Sequence, residues 1–233
     1  MYIYGKNVAR EKLLSDSKIN KVYLSEKFND KELINLLKNK KVKINYVKSY
    51  ELDKKVEGLH QGIILEIDDV KTYNYDEIIP NIKEDNPVIV MLDHLEDPHN
   101  FGAIIRTSEA LGASCIIIPN DRSVSVNGTV VKTSVGAIEY IPIVKVVNLN
   151  DTIKKLKKDG YWIIGTDMDG EDYSKIDYNM PVCLVIGNEG KGMSRMVREN
   201  SDIIASIPMK GKTNSLNASV SCAIVLSEIM KNR

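Results

Sequence analysis

The stretch PVIVMLDHLEDPHNFGAIIRTSEALGASCIIIPN, residues 87–120, reads as strand, loop, helix and strand. Its two ends, PVIVMLD and ASCIIIPN, are continuous apolar runs without polar alternation, the pattern of strands covered on both faces in a parallel sheet. Between them NFGAIIRTSEALG carries a helical period and stops at Gly112. Parallel neighbours need a crossover of this kind, so the stretch predicts an α/β fold with a mostly parallel sheet.

The same alternation continues toward the C-terminus. NGTVVKTSVGA reads as a short helix and YIPIVKV as a strand. NLNDTIKKLKKDG is a capped helix with a glycine stop. YWIIGTDM, PVCLVIG and DIIASIP are further strands, and a helix from about Leu216 to Met230 closes the chain. Toward the N-terminus, DDVKTYNYDEIIPNIKEDN (68–86) has no clear period and reads as a linker with one isolated helical turn. Before it, NVAREKLLSD, KVYLSEK, NDKELINLLKNK, KINYVK, SYELDKKV and GIILEID alternate helix and strand in a small α/β unit. The expected division is therefore 1–68, a linker at 69–86, and 87–233.

Bulk properties narrow the classes. The 233 residues suit two domains, and no apolar run approaches the ~20 residues of a membrane helix. The opening MYIYGKNVAR lacks the apolar core of a signal peptide, so the expected location is the cytoplasm. Cys115, Cys183 and Cys222 are far apart in apolar runs and read as reduced core thiols. Formal charge sums to zero, but residues 1–70 carry a net +3, 71–185 a net −6, and 186–233 a net +3. Basic ends leave room for a local phosphate-facing surface.

Ligands of parallel sheets gather at the carboxyl ends of strands. Three loops there are unusual: HLEDPHNFGAIIR after the first strand, NEGKGMS after PVCLVIG, and MKGKTNSLNAS after DIIASIP. The loop Gly187-Asn188-Glu189-Gly190-Lys191-Gly192 is not a P-loop, because Met193 follows its last glycine, and the dinucleotide fingerprint is absent. Its three glycines suggest backbone packed against a flat ligand, or else a plain turn. Asn100 and Arg106 open one helix, six residues apart, offset along it but sharing a broad face. Asp93, His94, Asp97 and His99 offer carboxylate and imidazole without the spacing of a zinc helix, so no metal is expected. His60 in GLHQG reads as a turn or surface histidine. In the third loop Ser215 or Asn217 caps the last helix, whose N-terminus favours an anion.

DPHNFGAIIRTSEALGA, LVIGNEGKGMS and SIPMKGKTNSLNASVSCAI, in this order, resemble the SpoU (TrmH-like) branch of the SPOUT superfamily of RNA ribose 2′-O-methyltransferases. The N-terminal unit looks like the L30e-like RNA-binding domain of several members. YIYGKNVAREKL and GLHQGI look most like the bacterial 23S ribosomal RNA guanosine-2′-O-methyltransferase (RlmB) group. The resemblance implies a C-terminal trefoil knot, an exception to ordinary connectivity, with S-adenosylmethionine held bent within it. By position it nominates Gly187, Ile207, Met209 and Leu216 for the cofactor, with Gly190 and Ala218 nearby. Asn100, Arg106, Glu189, Ser215 and Asn217 become the catalytic set, with Arg106 central. A guanidinium is a poor proton acceptor at neutral pH, so Arg106 is expected to grip phosphate and polarise the 2′-hydroxyl. The resemblance further implies a homodimer and an RNA partner, with no membrane. The same reaction on transfer RNA, or a non-catalytic RNA-binding protein on this fold, stays open at this stage.

Overall fold

A computed structural model describes residues 1–15 and 18–231 of the chain. They form two compact units, Met1–Val70 with Val126–Gly136, and Lys71–Ser125 with the chain from Ala137 onward.

In the first unit a four-stranded sheet has the order β1 (Tyr2–Tyr4), β4 (Ile63–Ile67), β2 (Ile19–Ser25), β3 (Ile44–Val47). Strand β4 runs antiparallel to both neighbours, while β2 and β3 are parallel. Helices α1 (Lys6–Leu14), α2 (Lys31–Asn39) and α3 (Ser49–Asp53) belong to the same unit. Asp30 caps α2 by accepting from the Leu33 amide at 3.2 Å, and Leu33 and Leu37 turn its buried stripe inward.

The short helix α6 (Gly128–Thr133) belongs to this unit, although its sequence position lies inside 87–233. It packs on β1 so closely that a Cβ at Gly128 would come within 2.4 Å of the Tyr2 carbonyl oxygen. Only glycine fits there. The apolar pattern of this helix shows that Val130 and Val131 must be buried, but not against which sheet.

The second unit carries a six-stranded parallel sheet in the order β10 (Ile203–Ser206), β8 (Trp162–Asp172), β9 (Val182–Ile186), β5 (Val88–Leu92), β6 (Cys115–Pro119), β7 (Ile143–Val146). Every residue of β5, β6 and β9 is buried, which is why these strands read as unbroken apolar runs. Around the sheet lie α5 (Pro98–Ala110), α7 (Leu149–Lys158), α8 (Arg195–Glu199) and α9 (Ala218–Met230), and α5 packs against α9. Cys115, Cys183 and Cys222 are buried and unpaired. Burial raises all three thiols, that of Cys222 to about 12.

The segment expected as a linker is built into this unit from Lys71 onward. The Tyr73 amide donates to the Ile143 carbonyl at 2.9 Å, and its own carbonyl accepts from Lys145 at 2.8 Å, which adds a bridge to β7. In the following α4 (Tyr75–Ile78), Tyr75 is buried and donates its hydroxyl to Asp159 at 2.6 Å. Burial and that carboxylate together raise the Tyr75 hydroxyl well above its usual range. Isolated anchors such as Tyr73, Tyr75 and Ile79 make no period, so sequence patterning missed them.

Strand β8 also runs longer than its apolar core suggests. Its pairing with β10 jumps from Gly165 to Glu171, leaving residues 166–170 as an excursion, which Arg198 holds through Asp167 and Asp169. No described helix is long and apolar enough to cross a membrane.

Candidate functional site

The three unusual loops follow β5, β9 and β10. Asp93, the residue directly after β5, is 1% exposed. Its carboxylate accepts from the Ser194 amide at 2.5 Å and lies 2.6 Å from His94 Nδ1, tying the first loop to the end of the second. Asp97 then caps α5 by accepting from the His99 amide at 2.9 Å, with Pro98 at the first helical position.

Asn188 folds the second loop. Its side-chain oxygen accepts from the Gly190 and Lys191 amides at 2.9 and 3.2 Å, and its amide donates to the His94 carbonyl at 2.8 Å. A Cβ at Gly187 would come within 2.5 Å of the Gly192 carbonyl carbon and the Met193 nitrogen. That glycine is therefore required by its own turn, and its presence needs no ligand. Asn188 was not among the residues singled out from sequence. The Asn-x-Gly spacing of a side-chain-closed turn is the signal that points to it.

One hydrogen-bond chain joins all three loops. Asn217 Nδ2 donates to Asn100 Oδ1 at 2.8 Å, and Asn100 Nδ2 donates to Glu189 Oε1 at 3.1 Å. Glu189 also accepts from the Asp97 amide at 3.4 Å, which sets a carboxylate at the start of α5, where the helix dipole favours it. At the other end Asn217 Oδ1 caps α9, accepting from the Ser219 and Val220 amides at 2.9 and 3.4 Å. Every bond runs in one sense, from the α9 amides to the Glu189 carboxylate. Such a chain is mutually polarising, and a break on either side of Asn100 leaves part of its buried amide without a partner, while Asn217 and Glu189 are exposed to water. Asn100 is buried, so its position is fixed.

Three of the five expected catalytic residues, Asn100, Glu189 and Asn217, are thus in direct contact. The other two are not joined to them. Ser215 is exposed and makes no side-chain hydrogen bond among the described residues. Arg106 is exposed on α5 and forms no ion pair or hydrogen bond among the described residues. The expectation that Asn100 and Arg106 share a face fails on helix geometry. Six residues at ~100° each leave them ~120° apart around the axis and ~9 Å apart along it.

The residues nominated for the cofactor differ in exposure. Gly187 and Ile207 are half-buried, Gly190 is exposed in the second loop, and Ala218 is buried at the start of α9. Met209 and Leu216 are 39% and 37% exposed, apolar side chains left uncovered at the two ends of the third loop. Of the cluster considered for metal, Asp93 and His94 pair with each other, and Asp97 serves as a cap. Among the described residues there is no group of three or more His, Cys, Asp or Glu that could hold a metal ion.

Comparison with known proteins bears on this geometry. The SpoU rRNA Methylase family profile matches residues 87–227, and a profile for RNA 2′-O ribose methyltransferase substrate binding matches residues 2–73. YacO of Bacillus subtilis (strain 168), provisionally named a TrmH family tRNA/rRNA methyltransferase, is 42% identical over all of this chain and 96% of its own length. An AdoMet-bound rRNA methyltransferase from Sinorhizobium meliloti superposes with a TM-score of 0.76 at 25% identity, over 99% of this chain and 87% of that one. AviRb, a SpoU methyltransferase from Streptomyces viridochromogenes solved with AdoMet, shares the fold with a TM-score of 0.78 at 23% identity, over 100% of this chain and 90% of its own.

Proposed function

The chain belongs to the SpoU rRNA methylase family of RNA 2′-O-ribose methyltransferases, and from that membership we propose that it methylates a guanosine ribose in 23S ribosomal RNA with S-adenosylmethionine. The observation that carries this reading is the bond chain Asn217–Asn100–Glu189, in which each of the three motif loops contributes one side chain.

The donor chemistry of the site suits the cofactor. Met209 and Leu216 offer apolar surface to a flat base, and backbone amides of the second loop, with Ile207, Gly187, Gly190 and Ala218 around them, supply polar contacts. When bound, the cofactor supplies an activated methyl group on a sulfonium. What remains for the protein is to align the 2′-hydroxyl and to ease removal of its proton. Asn100 and Asn217, held by their mutual bond, set the edge against which the ribose lies, and Ser215 adds an uncommitted hydroxyl beside them. Glu189 fixes Asn100 and places negative charge close to the hydroxyl proton. Arg106 grips the adjoining phosphate through its planar fork and polarises the hydroxyl, leaving phosphate or water to take the proton.

Arg106 stands apart from the cluster of its own chain. That isolation supports a homodimer in which the arginine of one protomer serves the site of its partner. The same reading has the strand, loop and helix of the third motif threaded through an earlier loop in a trefoil knot, and it makes residues 1–68 the L30e-like part that grasps RNA. The segment GLHQG, where His60 bonds Asp53 at 3.0 Å and accepts from the Gly62 amide at 2.9 Å, belongs to that part.

Mapping 2′-O-methylation in ribosomal and transfer RNA from cells lacking the gene, then restoring it with purified protein, tests the proposal. One missing 23S guanosine mark, regained with protein and S-adenosylmethionine, is the expected outcome. A missing tRNA mark would move the substrate, and no missing mark would remove the activity.

A further inference from the structure

A cavity of about 240 Å³ opens at the carboxyl ends of β5, β6 and β7. Pro119 ends β6, Asp121 and Arg122 follow it, Val147 and Asn148 lead into α7, and His94 closes the side nearest the second loop. Its volume is below the ~300–1,000 Å³ of a pocket for a whole cofactor. It suits a smaller piece of a longer ligand.

Two observations give the cavity a chemical character. Arg122 lines it with no ion pair or hydrogen bond among the described residues, so its guanidinium is uncommitted. His94 lines it from the opposite loop. Its Nδ1 is held at 2.6 Å by the buried Asp93, which leaves Nε2 as the ring atom available to a ligand. Both residues have left-handed backbone, with φ of 57° at His94 and 53° at Arg122. They are the only described non-glycine residues of the second unit in that region, and both line this one cavity. Such backbone is strained for a residue with a side chain and persists where surrounding structure enforces it, often at ligand sites. The acidic groups facing the cavity are Asp121 at its wall and Asp93 behind the histidine ring. A bare anion would therefore meet a carboxylate as well as an arginine.

We propose that this cavity is a subsite for one ribose–phosphate unit of an RNA strand, the phosphate on Arg122 and His94 and a ribose hydroxyl on Asp121. The inference rests on the proposed RNA reading and adds to it a second point of grip. The His94 carbonyl is bonded to Asn188, next to Glu189, so the subsite adjoins the cluster and takes a nucleotide flanking the methylated one. An acceptor carboxylate beside the sugar also prefers RNA to DNA, because only RNA offers the 2′-hydroxyl there.

The test uses the full-length protein with fluorescent single-stranded RNA and the matching DNA, titrated by anisotropy across a range of salt. S-adenosylmethionine calorimetry runs alongside on every variant. For Arg122→Ala we expect RNA affinity to fall about tenfold and the slope of log affinity against log salt to lessen by about one, with cofactor affinity unchanged. Arg122→Lys should restore the slope, which separates lost charge from lost folding. For Asp121→Asn we expect the preference for RNA over DNA to shrink. Unchanged affinity and slope in Arg122→Ala, with cofactor binding intact, would overturn the subsite and leave the proposed activity standing. A wild-type protein that binds neither RNA nor cofactor would overturn both.

Discussion

Asn100 and Arg106 sit on the same helix in opposite circumstances. Asn100 is buried, with both halves of its amide committed to other loops, while Arg106 is exposed and has no polar partner among the described residues. The third loop repeats the contrast, because Asn217 is bonded at both ends whereas Ser215 and Leu216 are left open. Residues that the protein pins in advance hold geometry, and residues that it leaves free supply contacts still to be made. Pinned groups should therefore lose stability and rate together on substitution, and free groups rate or affinity alone.

The sharpest way to break that contrast is Asn100→Ala. It removes the partner of the Asn217 donor and the Glu189 acceptor, both on exposed residues that water can reach, and we expect stability to fall by ~0.5–1.5 kcal/mol in thermal unfolding. Methyl transfer in single turnover should drop ~10²–10³-fold, the scale of losing one positioned polar group at a reacting centre. Arg106→Ala comes next, with transfer down about 10²-fold and unfolding within ~0.5 kcal/mol of the parent, as for an exposed side chain away from the core. If Arg106→Ala melted as early as Asn100→Ala, the contrast would be false. Comparing Arg106→Lys sharpens it. Point charge alone would preserve most of the rate, while a planar fork gripping phosphate would not be replaced. The smallest effect belongs to Leu216→Ala, where we expect S-adenosylmethionine to bind about tenfold more weakly in calorimetry with no change in melting, since roughly half a side chain's apolar surface is at stake.

Much of this was readable in the chain. Unbroken apolar runs announced β5, β6 and β9, and three loops at strand ends marked the site's edge. What stayed hidden was what periodicity does not encode. The pattern of α6 fixes a buried face but not the sheet that covers it, and the anchors Tyr73 and Tyr75 act one at a time. The glycines of the second loop looked like a ligand cradle, yet Gly187 answers to backbone five residues further on, a contact visible only once the turn is closed. The cavity at Arg122 draws on four separate loops and leaves no mark in any of them alone.

The central claim is that Asn100 and Glu189 act as one unit holding the ribose-facing edge. A double-mutant cycle in single-turnover methyl transfer, using Asn100→Ala, Glu189→Ala and their combination, tests it most directly. The account predicts that the double variant transfers no more slowly than the worse single variant. A double variant slowed by the full product of the two single losses would contradict it.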